Sequence, residues 1–351
     1  MSQPTAPSQT DSLTRAPEFP HRRAGHCGSG ALRDLMELHQ LDYGAGPLSE
    51  GAAFGLAGGL GFLYLEIPGM KPPIYLVGRT ADLERDVSKH LDIGLEVRET
   101  EDPEEGWRWV REEIDAGRPP IVWADIGHLE YLRVRMNNTR HDIVVVDYDE
   151  DEGIAWIADN DRDELQACSL DSLATARNSD GFPGPNLHTT FFYEWPDRLR
   201  EPAEAARLAI ERAVANMRDG GDAIAGLGGA FGLEGIERFA TAYPTWPETL
   251  GEHQPAALRG LRVFIVKAGT GGAMFRSLHA EFLNDMALLL DDAALRALAG
   301  TYGVLASLWR LLAFHAERED HAGGLGAVAQ INELEHLGVS MMEAWLEENS
   351  K

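Results

Sequence analysis

A cysteine placed directly ahead of a helical stripe is the first group in this chain with an evident chemical use. Cys27 follows His26, and Gly28-Ser29-Gly30 then gives way to apolar residues at 31, 32, 35, 36 and 38. That spacing predicts a helix starting near Cys27. The amide hydrogens and the positive dipole end of a helix start favour an anion, so a thiol there ionises more readily. A thiolate nucleophile also needs an imidazole, held in turn by a carboxylate or amide. His141 opens a β-rich run through Ile143-Val144-Val145-Val146. The acidic turn Asp149 to Gly153 follows, Ile154 to Ala158 returns, and Asp159-Asn160 ends it. This is a hairpin pattern. With its turn near residues 150 to 152, His141 and Asp159 share the open end, close enough to hydrogen-bond. The chemistry these three residues point to is nucleophilic, with Cys27 attacking, His141 as general base and Asp159 orienting it. The plain alternative is a packed, inert cysteine, with His141 capping a strand and Asp159 opening a turn.

Other groups carry less. Cys168, in Glu164-Leu165-Gln166-Ala167-Cys168, has no base nearby in sequence and reads as structural, and His128 reads as an exposed loop residue. The two cysteines and scattered histidines have no CxxC or HExxH spacing, so no metal site and no cofactor is expected. Gly269-Thr270-Gly271-Gly272 precedes a helical pattern and offers amides to an anion, but it lacks the Gly-Lys-Ser/Thr ending of a nucleotide loop. The acidic runs at 99–105 and 147–152 read as solvated faces.

The elements that must position these groups fall in two halves. Residues 1 to 20 read as a flexible arm. Gly51 to Gly61 is either a Gly-rich loop or a helix in close contact with a neighbour, and a helix is expected. Strands are expected at 62–66, 74–77, 121–125, 141–148, 154–158 and 189–193, with a helix over 104–116. Beyond Trp195-Pro196-Asp197 the chain turns Ala-, Leu-, Glu- and Arg-rich with helical spacing at 203–218, 234–242, 272–290, 292–314 and 324–348. A strand at Arg262 to Val266 is expected to interrupt them. The fold class is therefore α+β, with a boundary near residue 197 and a mainly α-helical second domain.

Composition narrows the function. At 351 residues the chain has room for two domains or one elaborated one. Its 44% hydrophobic and 25% charged residues, with a mean hydropathy of -0.25, exclude a mostly disordered chain. A net charge of -26 removes the general attraction to phosphate backbones and anionic lipid, so neither a nucleic-acid nor a membrane partner is expected. The first 23 residues lack an apolar signal core, the longest apolar runs are strand-sized, and two cysteines make no disulfide framework. A cytoplasmic location is the expectation.

The order Cys, His, Asp, with the nucleophile on an early helix and the base on a later hairpin, resembles that of papain-like cysteine enzymes. More specifically, the chain resembles the butirosin biosynthesis protein H family. The resemblance rests on His26-Cys27-Gly28-Ser29-Gly30-Ala31-Leu32, Leu48-Ser49-Glu50 with its Gly-rich continuation, the strand at 119–125, the hairpin from His141 to Asp159, and Leu173-Ala174-Thr175-Ala176-Arg177. Past residue 200, Gly232 to Ile236, Trp246-Pro247 and Gly269 to Arg276 look like the helical domain often fused to it. The resemblance implies a papain-like catalytic domain over residues 21–197, a helical companion over 198–351, and acyl transfer from a carrier-protein thioester to an amine. It makes Cys27, His141 and Asp159 the catalytic residues, with Ser49, Glu50 and Arg177 as pocket residues. An acyl or amino carrier protein, a small-molecule amine acceptor and a partner biosynthetic enzyme are the implied partners. An acidic carrier would need a basic patch, for which Arg198, Arg200, Arg207 and Arg212 are candidates. No glutamine of the papain kind precedes Cys27, and His21 stands as the candidate in its place.

Three function classes follow. The first is a cysteine acyltransferase or cyclase in specialised-metabolite biosynthesis. The second is a cysteine hydrolase or peptidase, with water as acceptor. The third is a non-catalytic papain-like binding subunit.

Overall fold

The computed structural model describes residues 19–67, 69–134, 137–220 and 229–349. The arm expected at 1–20 lies, apart from Phe19 and Pro20, outside the described residues. In chain order the described helices and strands are α1 (Cys27–Leu38), α2 (Glu50–Leu56), β1 (Leu60–Glu66), β2 (Ile74–Arg79), α3 (Leu83–Leu91), β3 (Gly94–Arg98), α4 (Pro103–Asp115), β4 (Ile121–Ala124), β5 (His141–Asp149), β6 (Ile154–Ala158), β7 (Gln166–Ser169), α5 (Leu170–Arg177), β8 (Thr190–Glu194), α6 (Pro202–Asp219), β9 (Ala230–Phe231), α7 (Gly232–Ala242), α8 (Trp246–Thr249), α9 (Gln254–Val266), α10 (Arg276–Leu289), α11 (Ala293–Glu317) and α12 (His321–Glu348). Sheet-bearing structure followed by a mainly helical part makes this an α+β fold.

The chain forms two compact units, each assembled from separated stretches. The first holds residues 1–23 and 95–193, the second residues 24–94 and 194–351. The composition change near residue 197 therefore coincides with one of three crossings between units.

The first unit is built on a six-stranded sheet in the order β3-β8-β4-β5-β6-β7, and β4, β5, β6 and β7 pair antiparallel in sequence. Alternate residues of its central strands, Val122, Ala124, Ile143, Val145, Ala155 and Ile157, bury against Val110 of α4 and Leu173 and Ala176 of α5. Pro103 at the first turn of α4 and the Asp102 side chain on the Glu104 amide set where that helix begins.

In the second unit, α10 packs on α2 and α11, while α12 packs on α11, α6 and α7. The close approach expected for the Gly51–Gly61 segment is real over its first half. A Cβ at Gly51 would overlap the Glu281 side chain and one at Gly55 the Phe282 ring, so glycine lets α10 sit directly on α2. After Leu56 the backbone turns at Gly58 (φ +62°) and enters β1, which the expectation of one helix over the whole segment missed. A buried ion pair joins the β1–β2 hairpin to the last helix. Arg276 donates to Glu335 at 2.6 Å and to the carbonyls of Gly61 and Gly78, and the Trp309 indole donates to the same carboxylate.

The strand expected at Arg262–Val266 is the last part of α9. Its β-branched run suggested a strand, but Leu258, Leu261 and Ile265 are buried with helical spacing, and that face decides the conformation. Short elements were also missed. Helix α3 carries Leu83, Val87 and Leu91 on one stripe, a signal present in the sequence, whereas β7 and α5 are too short for periodicity to show. By length and composition α11 is long and apolar enough to cross a membrane. Half of that segment is buried, and it packs among α9, α10 and α12 as the core helix of a globular unit does.

Candidate active site

The His141–Asp159 pair is built by a register change. At the turn end of the hairpin, Asp149 faces Ile154 and Asp147 faces Trp156, but beyond a bulge Val145 faces Ile157 and Val144 faces Ala158. Val146 is the extra residue. Continued from Val144, the pairing sets Asp159 across from Ile143, on the sheet face that His141 shares two residues away. A regular hairpin would have set Asp159 across from Val144 and on the opposite face. With the bulge, His141 Nε2 lies 3.0 Å from Asp159 Oδ2 and 3.1 Å from Oδ1. The sequence expectation that these side chains meet at the open end holds.

Asp159 is 1% exposed and accepts further bonds from the Tyr131 hydroxyl at 2.8 Å and the Asp161 amide. Burial alone would raise its carboxyl. The neighbouring imidazole, its hydrogen bonds and those from Tyr131 and Asp161 outweigh burial and hold the group below the usual carboxylate range. Asp159 is thus a buried anion. Because Nε2 is committed to it, the ring atom suited to proton exchange is Nδ1.

Cys27 lies in the second unit, half-buried, as the first residue of α1. The His26 side chain caps that helix, its Nδ1 accepting from the Ser29 amide at 3.2 Å. Glu50 holds the segment in front of it. One carboxylate oxygen accepts from the Gly25 amide at 2.8 Å, and the other from the His26 amide at 2.8 Å and the Ser29 hydroxyl at 3.0 Å. The loop 269–275, whose Gly269-Thr270-Gly271-Gly272 start was a possible anion site in the sequence, packs on the same segment. Gly271 donates to the Gly25 carbonyl at 3.2 Å, a Cβ at Gly25 would come within 2.8 Å of Gly271, and the Phe275 ring meets His26 edge-on. The amides of Ala273 and Phe275 bind the Thr270 carbonyl, and that of Met274 binds Ile265. The loop serves as a buttress for the Cys27 segment, with these amides engaged inside the protein.

The remaining site candidates have structural duties. Ser49 caps α2 through the Ala52 amide and donates to Asp285 at 2.6 Å. Arg177 is 1% exposed and donates to the carbonyls of Gly106 and His188 and the Thr190 hydroxyl, tying α4 to β8. Burial lowers its guanidinium to about 9. Cys168 sits in the core of the first unit with burial raising its thiol to about 11, as its structural reading anticipated. Three of the four candidate docking arginines are neutralised. Arg200 pairs with Glu204, Arg207 with Glu211, and Arg212 with Asp86. His21 belongs to the first unit.

Sequence reasoning missed Tyr131, which sits in a loop with no periodic signal, and Glu84, a buried α3 carboxyl in the electrostatic field of His26 and Cys27. Burial, more than any neighbour, raises the Glu84 carboxyl.

No curated protein matches the chain. Two family descriptions do. "Butirosin biosynthesis protein H, N-terminal" matches residues 26–160, which contain Cys27, His141 and Asp159, and "Domain of unknown function (DUF4872)" matches residues 171–342. The segment from Cys27 to Asp159 and the helical region behind it both fall within these matches, so the chain belongs to the butirosin biosynthesis protein H family, with a second domain fused behind the first.

Proposed function

We propose that the protein is a cysteine-dependent acyltransferase or cyclase of antibiotic biosynthesis, with a papain-like division of labour among Cys27, His141 and Asp159. The observation that carries this reading is the hydrogen bond of the part-buried His141 to the buried Asp159 in a chain whose family is one of antibiotic biosynthesis. The Cys27 thiol gives its proton to His141 Nδ1, and the sulfur attacks the carbonyl carbon of an acyl or aminoacyl thioester. The tetrahedral intermediate collapses with cleavage of the substrate's C–S bond, and the leaving thiol takes the proton back from His141. An amine then attacks the acyl-enzyme, passes a proton to His141 and expels the Cys27 thiolate. Thioester for thioester is a nearly even exchange, and the amide formed in the second step makes the sequence run forward. First-turn amides of α1 stabilise the oxyanion, a contribution of ~3–4 kcal/mol per donor in such sites. The thioester donor is a carrier protein, the acceptor a small-molecule amine, and the setting cytoplasmic.

Intact-mass measurement after incubation with an acyl-pantetheine thioester tests this. One acyl adduct is expected on the wild-type protein, none on Cys27→Ala, and formation slowed at least 100-fold in His141→Ala. Discharge by added amines supports transfer, whereas discharge by water alone assigns a hydrolase. An unreactive Cys27, or an adduct on Cys168, overturns the cysteine mechanism and leaves a binding subunit.

A further inference from the structure

Asp159 is usually sufficient company for a histidine base, yet here the carboxylate has a second side-chain partner from a different element. Tyr131 lies in the loop after β4, and its phenol donates to Asp159 Oδ2, the same oxygen that lies closer to His141 Nε2. That loop is fastened on several sides. Arg162 donates to the Tyr131 carbonyl at 3.1 Å, the Ser169 amide to Glu130 at 2.7 Å, and the Ser172 hydroxyl to the His128 carbonyl at 2.5 Å. On the Asp159 side, the Arg162 amide closes a turn onto the Asp159 carbonyl at 3.0 Å, and the Asp161 amide reaches Oδ1. Arg162 therefore ties the loop carrying Tyr131 to the turn carrying Asp159. The charged and titratable groups around this cluster include Arg162 and Asp161, which pair with each other, Arg23, which reaches Asp161, and the Cys168 thiol, which acts on Tyr131.

We propose that Tyr131 is a positioning residue for the His141–Asp159 pair, fixing the carboxylate's orientation and sharing its negative charge so that Asp159 steers His141 without over-stabilising its protonated form. A carboxylate with a single imidazole partner, buried as this one is, would favour the imidazolium strongly and dull the base. A phenol hydrogen bond to the same oxygen draws off part of that charge. Burial and the Asp159 charge both push the Tyr131 phenol well above its ordinary value, so it remains a donor throughout the working pH range. The inference rests on the catalytic reading of His141, but the titration that tests it needs no substrate.

The experiment is NMR titration of the His141 ring in isotopically labelled full-length protein. Tyr131→Phe is expected to raise the His141 midpoint by about one pH unit, the shift that loss of one hydrogen bond to a charged group gives. In an Asp159→Asn background the same substitution is expected to have no effect, because Tyr131 acts only through that carboxylate. Should Tyr131→Phe fold poorly, wild-type protein carrying 3-fluorotyrosine provides the opposite perturbation. Its more acidic phenol is a stronger donor and moves the His141 midpoint down. An unchanged midpoint, or the same shift with and without Asp159, overturns the inference. If the midpoint moves as expected and Cys27 takes no acyl group, the positioning role stands and acyl transfer falls.

Discussion

At the scale of single residues, the hydrogen-bond pattern gives Glu50 a definite structural duty. The family resemblance implied a pocket role for it, and in the structure its two oxygens hold the two amides ahead of Cys27 and the Ser29 hydroxyl. A residue used this way sets where the helix begins, and with it where the sulfur points. Glu50→Ala removes the acceptor for three donors and is expected to cost about 2–4 kcal/mol, read from the urea midpoint. Glu50→Gln keeps one carbonyl oxygen, loses the bond to one side, and is expected to cost about 1 kcal/mol by the same measurement. Equal losses for the two variants would show that the carboxylate is merely a packed group. Ser49 and Arg177 likewise hold neighbouring elements through Asp285 and through Gly106, His188 and Thr190.

The element that matters most is the β5–β6 hairpin, because its bulge chooses the face on which Asp159 appears. Inserting one alanine between Ile157 and Ala158 sets Asp159 across from Asp142 and carries it to the face opposite His141. The expected result is a protein with wild-type far-UV circular dichroism whose His141 titration matches that of Asp159→Asn and whose Cys27 no longer takes an acyl group. Retention of the wild-type titration would mean that the hairpin absorbs the added residue as a second bulge and keeps its register. The companion lesson comes from α9, where a run of Val, Phe and Ile suited to a strand is helical. One buried face at helical spacing outweighs local β preference, as it does whenever tertiary burial is worth more than propensity.

At the scale of the whole molecule, buried histidines make acid the weak side of both units. His279 in the second unit is held neutral, burial first and Arg276 second lowering it to about 3, and His188 in the first is lowered to about 4. A histidine lowered in the folded state binds its proton only after unfolding once pH drops below about 6.5. Its stabilising contribution is therefore complete above that value and declines as pH falls toward the folded-state value. The slope has a ceiling of about 1.4 kcal/mol per pH unit for each histidine. His279→Leu is expected to flatten the dependence of the urea midpoint on pH between 7 and 4.5, although it lowers stability at neutral pH through imperfect packing. A parallel, unflattened curve would show that His279 takes up a proton in the folded state. Asp159 works in a lower range. Its depressed carboxyl stabilises above the ordinary carboxylate value, and that contribution disappears only as the pH falls through its folded-state value.

Much of this was written in local pattern. The strands at 121–124, 141–149 and 154–158, the start of α1 at Cys27 and the long helices after residue 200 follow from periodicity, turn residues and caps, since these depend on neighbours in the chain. The meeting of His141 and Asp159 was legible because a hairpin is a local object with a recognisable turn. The bulge that sets their common face was not, because one extra residue in a β-rich run leaves no mark in composition. Nor were the Glu50 clamp, the Tyr131 hydrogen bond or the division of the chain at 23, 94 and 194. Those depend on groups 21 to more than 200 residues apart meeting through burial, and the residue types alone are compatible with many such meetings. Sequence therefore determined which elements exist and which side chains have chemistry to offer. Tertiary packing decided which of them hold one another, because burial and long-range hydrogen bonding select among partners that local preference leaves equivalent.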